Sequence, residues 1–450
     1  MGIKQPTILV IIGISGDLAR RRLLPAISRI AESGELSEKF RIVGITRQSG
    51  IEKEDLLGER DSQSDYLWDH LELFRMDLLE AGDYKRLDQR LGEIVADFGE
   101  PSQYLFYLSV PPQVSPPIIE LLGETGLSAK PGTKILLEKP FGVDLASAQE
   151  LVEHITRYFS AEQIYRIDHY LAKESVQNII TFRQDNALFK RTWDKDFIER
   201  IEISASEEIS INGRSIFYEQ TGALRDLVQG HLLQLAALIL MDLPESRHLE
   251  DVPARRLAAL RQLRLPEKPV IASVKRGQYK GYQEDVNNPG SAVETFVSVL
   301  LESDDPKWEG VPITLTTGKS LDKKFTGITI FYKKSQSHEA NNLTIRLQPD
   351  EGIELSLWAK KPGYDRQVEC HQLRFTFQEY YTNLPEAYEQ VLFDAINSDH
   401  SLFASSAEIL ETWRILDVIQ RAWGLSSADL IFYQPGSSVK EVLDLENFSN

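Results

Sequence analysis

One cysteine, Cys370, stands in the whole 450-residue chain, so no intramolecular disulfide can staple the fold. The opening Met1-Gly2-Ile3-Lys4-Gln5-Pro6 lacks the charged and apolar regions of a secretory signal, and the cytoplasm is the expected compartment. Long apolar runs are missing too. The run at 232–240, interrupted by Gln234, is far below the roughly 20 residues that span a bilayer, and no membrane segment is expected. Basic residues are in the minority: Lys and Arg number 50 against 68 Asp and Glu, a formal net charge of −18. That balance favours solubility and excludes a non-specific hold on nucleic acid or anionic membrane. A phosphorylated ligand would have to be met by local basic residues. Neither metal-ligand spacing, internal repeats nor low-complexity tracts are visible.

What is present is apolar content: 42% hydrophobic residues over this length can build a core in each of two or three domains. Residues 7–12 are rich in β-branched side chains and open onto a glycine turn. Residues 18–32 then have helical character, ending near Gly34. Further strands are expected at 41–45, 104–110 and 134–137, with helical stretches between them, and that alternation implies a parallel sheet. After Glu174 the pattern changes. Residues 198–209, 269–277, 296–301, 312–316, 328–332, 343–347 and 353–358 read as strands joined by turns, with helices at 175–189, 221–241, 385–397 and 407–423. The expected fold is therefore α/β followed by α+β. A Rossmann-type, doubly wound parallel sheet occupies 1–170, and a larger domain at 171–450 is built on a mainly antiparallel sheet flanked by helices.

Gly13-x-x-Gly16-x-x-Ala19 follows the first strand. The first glycine permits a tight turn, the second lets backbone N–H groups approach a pyrophosphate, and the small Ala19 lets the helix pack closely. After the second strand, where NAD enzymes offer an acid to the ribose, Thr46-Arg47-Gln48 offers a guanidinium, which points to the 2′-phosphate of NADP, with NAD as a secondary acceptor. Lys139 stands at the carboxyl end of the 134–137 strand, where such sheets bind ligands, and is placed to reach the junction of cofactor and substrate.

The densest cluster is Ile164-Tyr165-Arg166-Ile167-Asp168-His169-Tyr170-Leu171-Ala172-Lys173-Glu174, which sets an acid, an imidazole, a phenol and an amine within six positions. Taken with Gly13-Ile14-Ser15-Gly16-Asp17-Leu18-Ala19 and Glu138-Lys139-Pro140-Phe141-Gly142, it resembles the glucose-6-phosphate dehydrogenase family. Ala172 replaces a glycine of the family pattern. The resemblance extends through Gly222-Ala223-Leu224-Arg225-Asp226-Leu227-Val228-Gln229-Gly230-His231 to Arg421-Ala422-Trp423, nearly end to end. It implies NADP-linked oxidation of glucose 6-phosphate to the 6-phospho-lactone, at the entry to the pentose phosphate route, by a homodimer or homotetramer.

The same resemblance assigns the site. His231 is the general base and Asp168 its orienting partner. Gly13, Ser15, Gly16, Asp17, Leu18, Arg47 and Lys139 hold the cofactor. His169, Tyr170 and Lys173 take the phosphate, Glu207 and Asp226 accept from sugar hydroxyls, and Lys319 and Lys324 add contacts. Each type suits its role: neutral imidazole is a good base near pH 7, and imidazole, phenol and ammonium all donate to an oxyanion. On an α-helix Asp226 and His231, five apart, would border a broad face rather than stack. The other six histidines, His70, His154, His248, His338, His371 and His400, have no comparable surroundings. Departures such as Arg22 for lysine, Gly230 for asparagine and a short loop at 287–294 leave two alternatives open. One is a dehydrogenase of another 6-phosphosugar such as an amino sugar; the other is a non-enzymatic nucleotide-binding homologue.

Overall fold

The computed structural model describes residues 5–61, 64–211, 213–244, 249–334 and 339–445; His248, His338 and the end of the tail after Pro435 lie outside them. The chain forms two compact units. One comprises Met1–Gly142, Ala146–Ala172 and Pro385–Ile409; the other comprises Val143–Leu145, Lys173–Leu384 and Leu410–Asn450.

In the first unit, strands β1 (Thr7–Ile12), β2 (Phe40–Thr46), β3 (Leu71–Arg75), β4 (Gln103–Leu108), β5 (Thr133–Leu137) and β6 (Ile164–Arg166) form one sheet. Their order is β3-β2-β1-β4-β5-β6, and every pairing is parallel. This is the doubly wound order whose strand reversal, between β1 and β4, opens a crevice at the carboxyl ends. β1, β4 and β5 are buried along their whole length, which is why they read as continuous apolar runs rather than alternating ones. β3 and β6 were not expected. Both are short, and β3 mixes Glu72 and Arg75 into its five residues.

The helix expected at 18–32 exists, but its first turn, Ala19–Leu23, is a π-turn before the regular helix Leu24–Glu32. Pro25 supplies the reason: it has no N–H, and its ring would strike the carbonyl of Arg21 in a regular α-turn. The first unit also takes back 385–409, which the division at 170 had left in the second domain. Val391, Leu392, Ala395 and Ile396 of the helix Ala387–Asn397 are buried with Ile27 and Phe40. Gln103 Nε2 and Lys134 Nζ donate to carbonyls at that helix's end, to Ile396 and Ala395.

The second unit is built on β7 (Ile198–Ser206), β8 (Leu263–Arg264), β9 (Val274–Tyr279), β10 (Phe296–Ser303), β11 (Ile313–Gly318), β12 (Phe325–Tyr332), β13 (Asn342–Gln348), β14 (Gly352–Lys360), β15 (Val368–Thr376) and β16 (Leu430–Tyr433). The order is β15-β14-β13-β12-β7-β11-β10-β9-β16, with β8 on β10. Among these strands, β7 with β11 and β9 with β16 pair in parallel and the others antiparallel. Along β13 buried and half-buried residues alternate, as one packed face requires. Residues 270–273, expected as strand, are instead a helical turn behind Pro269, which suits a helix start.

The helix expected at 221–241 is broken at its beginning. Gly222 has φ 65° and ψ 173°, so a helix Ser215–Ala223 ends there, a π-helix runs from Leu224 to Leu232, and an α-helix continues from Leu233 to Leu240. The stretch Ser215–Leu240 is long and apolar enough to cross a membrane, yet 83% of its most apolar window is buried inside the protein. It is the core helix of the second sheet.

Candidate active site

In the first unit the chain leaves β1 at Gly13 with φ +92°, and a Cβ there would lie 2.4 Å from the Ser109 carbonyl just beyond β4. The Gly13 and Ile14 N–H groups both donate to Ile45 O at 3.1 Å, and Gly16 N–H donates to Gly13 O at 2.9 Å. These bonds fold the loop into a tight turn that only glycine fits at position 13. Ala19 is fully buried, as close helix packing requires, while Ser15 and Leu18 are half-buried. Asp17 is exposed, and its carboxylate meets Arg21 at 2.6 Å.

Arg47 is exposed beyond β2 and lines a hollow of ≈ 460 Å³ with Arg75, Met76, Asp77, Asp83 and Arg86. Arg86 is held by the Asp83 carboxylate at 2.8 Å and by the Arg75 carbonyl at 3.3 Å. Sequence reasoning missed Arg75 and Arg86, because they become neighbours of Arg47 only through β3, a strand that periodicity did not mark.

At the end of β5 Lys139 is half-buried, and its peptide to Pro140 is cis. Beside it the Tyr107 hydroxyl donates to Glu138 at 2.5 Å. Burial raises the Glu138 carboxyl above its usual range and pushes the Tyr107 phenol well up, with the Glu138 charge adding to the second shift. Beyond β6, Asp168 is buried and its Oδ1 accepts the Tyr170 N–H at 2.9 Å. His169 is half-buried and stands edge-on to the Tyr170 ring at 5.1 Å. Arg166, two residues earlier, is buried, and desolvation lowers its guanidinium to about 10 against an opposing contribution from Glu408.

The second unit gathers the other residues. Glu207 follows β7 and pairs with Lys319, which follows β11; the Lys319 amine also lies 5.3 Å from the centre of the Tyr218 ring. Tyr218 is buried, and its phenol is driven well above 10 by desolvation first and then by Asp226, Glu294, Tyr433 and Glu207. The structure thus brings Glu207, Asp226 and Lys319 together around a tyrosine that sequence reasoning did not single out. Lys324 is exposed in the turn before β12. Lys173, at the start of the helix Glu174–Asp185, pairs with Glu351 at 3.2 Å. Lys173 and Lys319 thus each stand beside a carboxylate of their own, Glu351 and Glu207.

His231 is buried in the last turn of the π-helix. The helix bonding is of the i→i+5 kind, as in the Leu233 N–H to Val228 O bond. A π-turn therefore takes about one residue more than an α-turn, and residues five apart come nearly one above the other. Asp226 and His231 consequently share a face, which corrects the expectation drawn from α-helical spacing. Glu294 starts this helix by accepting the Leu224 N–H at 2.8 Å. A Cβ on Gly222 would lie 2.5 Å from the same carboxylate.

A family model for the glucose-6-phosphate dehydrogenase NAD-binding domain matches residues 10–178, and the model for the C-terminal domain matches 180–444. The chain belongs to the glucose-6-phosphate dehydrogenase family. It is 36% identical to the glucose-6-phosphate 1-dehydrogenase of Chlamydia muridarum, over 93% of this chain and 90% of the relative. Identity to the Bacillus subtilis glucose-6-phosphate 1-dehydrogenase is 34%, over 96% and 95%. A solved glucose-6-phosphate dehydrogenase in complex with its substrate glucose-6-phosphate superposes with a TM-score of 0.91 at 28% identity, covering 100% of this chain and 99% of that one. The Mycobacterium avium glucose-6-phosphate 1-dehydrogenase gives 0.83 at 31%, covering 96% and 95%. The transcriptional regulator Gal80p of a Kluyveromyces yeast shares the fold at 0.54 and 12% identity, a likeness of architecture alone.

Proposed function

We propose that the protein oxidises β-D-glucose 6-phosphate at C1, giving the 6-phospho-glucono-1,5-lactone and NADPH. The observation that carries this reading is the grouping of Glu207, Asp226 and Lys319 around Tyr218, with His231 one π-turn from Asp226, in a chain of this family.

In this reading His231 takes the proton of the C1 hydroxyl, and the C1–O bond becomes a carbonyl as the C1 hydrogen departs with its electron pair. NADP, when bound, supplies the nicotinamide that accepts this hydride. Asp168 orients the imidazole and stabilises it once protonated. Glu207 and Asp226 accept hydrogen bonds from sugar hydroxyls, His169, Tyr170 and Lys173 serve the phosphate, and Lys319 and Lys324 are further substrate contacts. The Gly13–Gly16 turn, with Ser15, Asp17 and Leu18, holds the pyrophosphate, and Lys139 aligns the two reactants. Arg47, flanked by Arg75 and Arg86, fits the 2′-phosphate of NADP, with NAD as the weaker acceptor. Metal plays no part in this reading. A cytoplasmic homodimer or homotetramer goes with it; support for assembly comes from β15, the outer strand of the sheet among the described residues, where Val368 and Leu373 are exposed.

The test mixes the purified protein with glucose 6-phosphate and NADP and follows reduced-nicotinamide absorbance, with NAD, 6-phosphorylated amino sugar and the His231→Asn variant in parallel. Rapid reduction with glucose 6-phosphate that disappears in the variant is expected. Reduction with the amino sugar alone would move the substrate, and none with any sugar would overturn the enzymatic reading.

A further inference from the structure

Lys173 sits where the chain enters the helix Glu174–Asp185, with its side chain 13% exposed. An ammonium has three donors and no acceptor. Two of them are engaged by groups far along the chain: Glu351 Oε1 at 3.2 Å and the Leu347 carbonyl at 3.3 Å. Among the described residues one donor is left, and with the other two held its direction is set. Glu351 is itself held. Its second oxygen accepts the Ser175 N–H at 3.0 Å and the Ser175 hydroxyl at 2.8 Å. The Ser175 N–H is one of the first-turn amides that a helix cannot satisfy internally, so the carboxylate is anchored to the positive end of the helix.

We infer that Glu351 is a positioning residue that aims the Lys173 ammonium at the substrate phosphate and so sets the preference for phosphorylated over unphosphorylated sugar. The inference rests on the proposed reading that Lys173 binds that phosphate. A lysine on a free four-carbon stem loses much rotamer freedom when it grips a ligand, and a side chain already fixed loses less. Glu351 adds negative charge near an anion, but that charge is spread over the amine, a hydroxyl and a helix amide, so the gain from a fixed direction outweighs the repulsion. Glutamine cannot replace it. If its carbonyl oxygen accepts from Lys173, its amide faces the Ser175 N–H, donor against donor.

The test measures KM and kcat for glucose 6-phosphate and for unphosphorylated glucose, with inhibition by inorganic phosphate, in the full-length protein and its variants. For Glu351→Gln we expect KM for glucose 6-phosphate to rise about five- to tenfold, kcat to fall less, and the phosphate inhibition constant to rise in step. The ratio of kcat/KM between the two sugars should fall by a similar factor, and Glu351→Asp should recover part of it. Ser175→Ala, which removes the hydroxyl bond to the second carboxylate oxygen and keeps the N–H bond, should move the ratio the same way by a smaller amount and serves if Glu351→Gln does not fold. An unchanged or lower KM in Glu351→Gln, or equal losses for both sugars, would overturn the inference. Lys173→Ala separates the two levels: if it leaves the sugar ratio intact, the assignment of Lys173 to the phosphate fails; if it lowers the ratio and the Glu351 and Ser175 variants do not, only the positioning role fails.

Discussion

The carboxyl ends of the first sheet present backbone and exposed side chains, whereas the second unit presents charges that are already matched. Around Gly13 the working features are a positive φ, a turn closed by main-chain bonds, and the exposed Arg47 at the edge of an arginine-lined hollow. Around Tyr218 and Glu351, by contrast, Lys319 is paired with Glu207 and Lys173 with Glu351, each amine largely out of solvent. On the proposed reading, the difference follows the ligands that each end would receive. A dinucleotide offers a long polyanion that helix amides and surface guanidinium groups can track from outside. A small sugar must be gripped in one orientation, and pre-paired charges hold their geometry at little further cost in freedom.

Removing the proposed base should break the second end outright. His231→Asn should lower kcat by about 10²–10⁴ with KM little changed, read from initial rates of NADPH formation. Next in size is the helix that carries it. Gly222→Ala forces a side chain to φ 65° and into the Glu294 carboxylate, and should cost about 2–4 kcal/mol in urea unfolding while leaving the arginine hollow untouched. The exposed end should respond in affinity instead of stability. Arg47→Ala should reduce the preference for NADP over NAD by roughly tenfold to a hundredfold, with no change in melting temperature. Measuring kcat/KM for both cofactors decides it, and Arg75→Ala should follow in the same direction with a smaller effect.

The last effect is read against pH and concerns a buried acid in the first unit. Burial, reinforced by Asp399, raises the Asp394 carboxyl to about 8 from its ordinary 3.8. A group whose folded pKa is raised contributes stability that is full below the unfolded value and is lost as pH rises through the folded one. The protein should therefore lose stability between about pH 4 and pH 8, by at most about 1.4 kcal/mol per unit from this residue. Asp394→Asn should flatten that decline in melting temperatures taken across the range. If the slope survives the substitution, the helix Ala387–Asn397 is not where the pH dependence lies.

Much of the first unit was legible because its signals are local. A β-branched run followed by Gly13-x-x-Gly16 describes a strand and a turn within ten residues, and the continuous burial of β1, β4 and β5 writes itself as apolar runs. β6, three residues long, was not legible, and neither was the π-helix at Leu224–Leu232, since hydrophobic spacing does not distinguish it from an α-helix over two turns. Asp226 and His231, five apart, were placed at the borders of a broad face, because the extra residue per turn is a property of the folded backbone.

By itself, then, the sequence determined the alternation of elements, the glycine turn after β1 and the residue types available for phosphate, hydroxyl and proton, because backbone conformation and side-chain chemistry are carried within a few residues. Only the tertiary structure decided that Glu351 holds Lys173 across 178 positions, that Glu207 meets Lys319 across 112, and that 385–409 returns to the first unit. Those pairings depend on which strands lie side by side, and strand order follows from the joint burial of distant apolar faces, which no local pattern of residues encodes.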